Sequence, residues 1–145
     1  MGVSVGIVCN KRGFGWTVIE DGVAYDSDIE APADRVARGE VLDWLLTEAE
    51  SVLVESKATA VRIEKAGGGK FGASAERHEV EAVVQVAATR KGVDCDLLTT
   101  EGVRAAMGVP KAAGAYKNLL TRPDVKARSN EQRRHQYLLA LSAGA

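Results

Sequence analysis

The residues whose types and spacing could do chemistry fall in three places. Glu131 and His135 stand four residues apart at the head of an apolar-patterned segment. One helical turn puts them on the same face, where a carboxylate and an imidazole can share a metal ion or pass a proton. The same spacing also makes an ordinary surface pair. Gly67-Gly68-Gly69-Lys70-Phe71-Gly72 is a glycine-rich stretch that runs into a helix capped by Ser74. Backbone N–H groups at such a helix start can face an anion, with Lys70 beside them. It is not the phosphate loop of nucleotide hydrolases, because Lys70 is followed by Phe71 and not by Ser or Thr. Lys65, Lys70 and Arg77 flank the stretch, so phosphate contact is one reading and a plain crossing loop is the other. The third place is Glu76, His78, Glu79 and Glu81, which read as surface helix charges; Glu76 in the first turn complements the helix dipole. Two cysteines, Cys9 and Cys95, read as reduced thiols of strands. There is no Ser/His/Asp pattern, and two histidines leave little for a zinc site.

The elements that must position these groups are legible from periodicity and turn residues. Val3–Val8, Gly15–Glu20 and Val23–Asp28 are β-rich, and Asp21-Gly22 between the last two suits a tight hairpin. An antiparallel meander follows. A helix is expected from about Pro32–Asp34, with Asp34 as its cap and Val36, Val41, Leu42, Leu45, Leu46, Ala49, Val52 and Leu53 as its stripe. Ala60–Glu64 is a fourth strand, and the helix capped by Ser74 carries Val80, Val83, Val84, Val86 and Ala87. Asp94–Thr99 is a fifth strand. A short helix opens at Thr100, and the stretch from Val109 to Val125 reads as loop with a helical turn near Tyr116–Leu120. Ser129 with Gln132 forms a capping box for a last helix to about Ser142. The order β-β-β-α-β-α-β-α-α implies an α/β fold with a five-stranded mixed sheet and helices on both faces.

The chain has 145 residues, 46% hydrophobic and 27% charged, which fits one domain with its own core and excludes general disorder. No apolar run reaches a membrane span, and no basic region precedes the N-terminal apolar stretch, so a cytoplasmic protein is expected. The net charge of −1 conceals a split. Residues 1–103 hold 11 Lys+Arg against 18 Asp+Glu, a net of −7, and residues 104–145 hold eight against two, a net of +6. The basic third contains Lys111, Lys117, Arg133 and Arg134, and such asymmetry can mark a polyanion-binding face.

The stretch GIVCNKRGFGWTVI, Gly6 to Ile19, resembles the opening of RuvC-type Holliday-junction resolvases of the ribonuclease H-like superfamily. VRIEK, Val61 to Lys65, resembles their fourth strand, which ends in a catalytic Glu; Glu64 takes that place. GKFG and HEVEAVVQ also resemble a family of small uncharacterised bacterial proteins sharing this fold. The resemblance implies a ribonuclease H-like domain over residues 1–145 and a site of four carboxylates holding two Mg²⁺ or Mn²⁺ ions for phosphodiester hydrolysis. Three of those acids are replaced: Val8 stands for the first, and Arg133 and Gln136 for the pair on the last helix. Valine cannot ligate a metal, and arginine brings positive charge where the family needs negative. Three readings follow. The chain binds DNA or RNA through Lys65, Lys70, Arg77, Lys111, Lys117, Arg133 and Arg134 over a degenerate site. Or it is a metal-dependent nuclease built on Glu64, Glu131 and His135, with Glu64 as metal ligand. Or it is a non-catalytic interaction module, a homodimer among its open arrangements.

Overall fold

Strand β1 (Val3–Cys9) is buried along its whole length and lies at the centre of a five-stranded sheet ordered β3-β2-β1-β4-β5. The computed structural model describes residues 2–66 and 74–144. β2 (Gly13–Glu20) and β3 (Val23–Glu30) complete an antiparallel meander with β1. Asp21 and Gly22 both have positive φ, 51° and 78°, as a two-residue hairpin matched to strand twist requires. β4 (Ala60–Glu64) and β5 (Asp94–Leu98) add in parallel on the other side of β1. Every strand lies where the β-rich runs placed it, extended by up to two residues at either end or, in β5, cut by one.

The sheet's two faces carry different helices. On one face α1 (Arg38–Glu55) and α2 (Ala75–Arg90) cover Val3, Val5, Ile7, Cys9, Phe14, Val18, Val61 and Ile63. Burying each such large side chain is worth about 1.5–3 kcal/mol, so this is the main core. The opposite face carries α6 (Glu131–Gly144), which crosses β1, β2 and β4. Beside it lie three short helices, α3 (Thr100–Ala106), α4 (Ala115–Leu120) and α5 (Pro123–Lys126). Val8, Val103, Leu119, Val125, Leu138 and Leu139 form its smaller core. α6 can cross so closely because Gly6 lacks a side chain. A Cβ there would stand 2.0 Å from the Gln136 carbonyl oxygen and 2.6 Å from the Ala140 nitrogen.

Four local expectations are corrected. Helix α1 begins at Arg38, not near Asp34, and Val36 is exposed. The Arg12 guanidinium donates to the carbonyls of Ala31, Pro32 and Arg35 and holds that segment as a turn. Glu40 instead accepts from the Ala37 N–H at the true start. The cap of α6 is Asn130, whose Oδ1 accepts from the Arg133 N–H at 2.9 Å, rather than Ser129. Val86 of α2 faces outward. The segment read as loop between Val109 and Val125 also holds a second short helix, α5, started by Pro123. No described helix is long and apolar enough to cross a membrane.

Candidate functional site at the end of strand β4

Alternation along β4 sends Val61 and Ile63 into the α1/α2 core and turns Glu64 to the α6 face. The parallel register pairs Ile7 with Ile63, so the next residues, Val8 and Glu64, stand side by side on that face. The Lys65 N–H donates to the Leu98 carbonyl at 2.8 Å and fixes the strand's exit.

Glu64 is half-buried and engaged on both oxygens. Its Oε1 accepts from Arg77 Nη2 at 3.1 Å. Its Oε2 lies 3.7 Å from His135 Nδ1. That nitrogen is 2.6 Å from the Tyr116 hydroxyl, and the two rings stack with centroids 5.5 Å apart. The other ring nitrogen, Nε2, lies 3.7 Å from Glu131 Oε1. Burial, and then the negative charge of Glu64, push the Tyr116 phenol far above its ordinary range, so it keeps its proton. The phenol and Nδ1 share a hydrogen bond whose direction follows the imidazole tautomer.

Arg77 comes from the first turn of α2, where Ser74 accepts its backbone N–H at 3.3 Å. Its Nε lies 3.4 Å from Oε2 of Glu81, which is only 2% exposed. The Glu81 oxygens face the Ala66 N–H at 3.3 and 3.5 Å, and His78 stands 3.9 Å away. A carboxylate this deep needs a cation and donors, since burial otherwise disfavours its charge by several kcal/mol. One guanidinium therefore bridges Glu64 and Glu81.

The neighbouring ground on β1 and β2 carries no charge. Val8 is 8% exposed and packs into the smaller core. Gln136 is fully buried above Gly15. Its Oε1 accepts from Gln132 Nε2 at 2.9 Å and its Nε2 donates to Thr17 Oγ1 at 3.3 Å. Thr17 donates to Asp26 on β3, which Arg128 also grips.

Glu64, His135 and Glu131, drawn from separate parts of the sequence, are thus neighbours. They stand in series, however, with the two acids on opposite nitrogens of one imidazole. Among the described residues no three His, Cys, Asp or Glu side chains gather as a metal-holding group. Arg133 does not face Glu64. It pairs with Asp28 of β3 at 3.3 Å. In the row Asp28–Gly15–Val8–Glu64, that is three strand spacings away, about 14 Å. The cation that does face Glu64 is Arg77. Lys65, Lys111 and Lys117 are exposed. Arg134 is half-buried, its Nε enclosed without a hydrogen-bond partner among the described residues. Lys70 and its glycines lie outside the described residues.

The sequence reading missed two members, and the first left a signal. Glu81 is not a surface charge: it follows Val80 and precedes Val84 by three, so it lies on the buried stripe of α2. Tyr116 falls in the helical turn expected near Tyr116–Leu120, the observed α4, and nothing in that local pattern points it at His135. The thiols offer no nucleophile: burial, then Glu81, pushes Cys9 far up, and burial, then Asp96, pushes Cys95 up to about 11.

No protein-family model matches the chain, and no curated protein matches it. Solved structures do. A Thermus thermophilus RuvC structure superposes with a TM-score of 0.73 at 19% identity, covering 97% of this chain and 92% of that one. The T. thermophilus RuvC in complex with Holliday junction substrate gives 0.68 at 17%, covering 98% and 92%. The yeast mitochondrial Holliday junction resolvase Ydc2 gives 0.56 at 12%, covering 95% and 75%. The chain has the ribonuclease H-like fold in the form seen in RuvC.

Proposed function

We propose that this chain is a RuvC-like protein that binds DNA or RNA and does not cleave it. One observation carries the reading. At the sheet end where the resemblance expects four acids, Glu64 stands without them, tied to Arg77. Val8 is in the apolar core and Gln136 is locked in a neutral hydrogen-bond chain. A hard divalent ion such as Mg²⁺ or Mn²⁺ needs several oxygen ligands in ordered geometry. The donor set at Glu64 does not fit it, and no step is derived through a metal. The nucleic-acid part of the reading is supported by the fold, since the similar T. thermophilus protein was solved on a Holliday junction substrate.

Under this reading Glu64, His135 and Glu131 hold one another and Tyr116 in place rather than catalyse. Phosphates meet the exposed Lys65, Lys111 and Lys117, and Lys70 from the glycine-rich stretch. Arg77 and Arg133 are occupied by carboxylates and contribute through the local field. Binding of labelled duplex, branched and single-stranded probes at 50 and 200 mM salt tests this. Four phosphate contacts predict an affinity loss of about 150-fold across that range. Salt-insensitive binding, or none to any probe, overturns the reading. Cleavage with Mg²⁺ or Mn²⁺ that disappears in Glu64→Ala would instead establish a metal-dependent nuclease.

A further inference from the structure

We propose that Arg77 is the resident cation of the Glu64 site, a side chain standing where a metal ion would neutralise the carboxylates. The inference rests on the reading that the site is degenerate and says what replaced its ion. Three observations carry it. The guanidinium touches both acids nearest the β4 exit, Glu64 at 3.1 Å and Glu81 at 3.4 Å. Glu81 is 2% exposed and 15 residues beyond its backbone partner Ala66, so it is an acid brought into the interior by the fold. Its charge there must be balanced. Third, the balance is supplied from the same helix face, with Arg77 one turn before Glu81 and clamped at the helix start by Ser74.

The consequences are electrostatic. The positive charge of Arg77 stands between two carboxylates, 3.1 Å from Glu64 and 3.4 Å from Glu81. The guanidinium hydrogen-bonds Glu64 Oε1 and stands in ion-pair contact with Glu81 Oε2, its Nε making no hydrogen bond among the described residues, and its charge repels a divalent ion from short range. Glu64, Glu81 and Arg77 sum to −1. Removing Arg77 leaves two acids converging with no cation, and the vacancy favours a divalent ion.

The experiment is a Mn²⁺ titration of the full chain without nucleic acid, read by the electron paramagnetic resonance of free Mn²⁺ and by thermal shift. The wild type should show no saturable binding in the low millimolar range. Arg77→Ala should bind at least about tenfold more tightly than wild type, with a Mn²⁺-dependent rise in Tm. Arg77→Ala combined with Glu64→Gln should lose that gain, and Arg77→Lys, which keeps a cation, should behave as wild type. If Arg77→Ala is unfolded without metal, recovery of its circular dichroism by Mn²⁺ supports the proposal, and Arg77→Gln repeats the titration on a neutral chain of similar length. A folded Arg77→Ala or Arg77→Gln that gains no Mn²⁺ affinity overturns the proposal and leaves the degenerate-site reading standing. Saturable, Glu64-dependent Mn²⁺ binding by the wild type overturns that reading itself.

Discussion

Two polar clusters lie against the same sheet, and they solve burial differently. The cluster around Glu64 is ionic: Glu64, Arg77, Glu81, His135 and Glu131, with side chains from 3% to 81% exposed. The cluster under α6 begins neutral, with Gln132, Gln136 and Thr17, and only its far end on Asp26 and Arg128 is charged. Gln136 and Thr17 are both fully buried. An amide and a hydroxyl can be sealed in the interior once each donor and acceptor is matched, at a net gain of about 1 kcal/mol per bond. A carboxylate cannot, unless a cation comes with it. Acid survives here only where an arginine reaches it, Arg77 from α2 for Glu81 and Arg128 for Asp26, and the central crossing of α6 is left to uncharged groups.

The contrast can be broken from either side. The largest effect is expected at Gly6, where an added Cβ meets backbone atoms of α6. Gly6→Ala should cost more than about 3 kcal/mol in chemical denaturation. Gly15→Ala should cost less, about 1–3 kcal/mol, because its Cβ meets the side-chain amides of Gln136 and Gln132 and not backbone, and displacing them breaks their hydrogen bond. Equal losses would mean that α6 is not held rigidly on the sheet.

In the ionic cluster, Arg77→Leu strands the buried Glu81 charge and should cost about 2–4 kcal/mol. Adding Glu81→Leu should recover most of that loss. A double variant as unstable as the sum of the two single ones would show that the bridge contributes no coupling.

The smallest effect concerns Tyr116, whose replacement by Phe should cost about 1 kcal/mol near neutral pH by removing its bond to His135. The phenol also shapes the alkaline limb. Its folded pKa is raised above the ordinary 10.0 by burial and then by Glu64. Its stabilising contribution is therefore present below about pH 10, where the unfolded phenol is still protonated, and is lost as pH rises toward the folded value. The fall in Tm between pH 9 and 11 should be shallower in Tyr116→Phe than in wild type.

Much of the framework was legible because it rests on local rules. Asp21-Gly22 specified its hairpin, Ser74 capped α2, and alternation in AVRIE placed Glu64 on a face apart from Val61 and Ile63. The errors have equally local causes. Asp34 lost its cap to a turn held by Arg12, a contact across 19 to 23 residues that no window contains. Asn130 won over Ser129 because the helix started one residue later. Arg133 looked like the intruder at Glu64, yet the sheet's width separates them. Its position in the helix pattern carried no information about which strand it would overlie.

By itself the sequence determined an acid at the end of β4, a valine late in β1 and a glutamine on α6. Those follow from residue identity and from periods of two and 3.6. Only the tertiary structure decided which cation meets Glu64, that Glu81 is interior, and that Tyr116 and His135 are hydrogen-bonded. Each is a meeting of side chains from different elements at distances of 2.6 to 3.4 Å. Such contacts depend on how far helices slide and rotate over a sheet, which packing of the whole core sets.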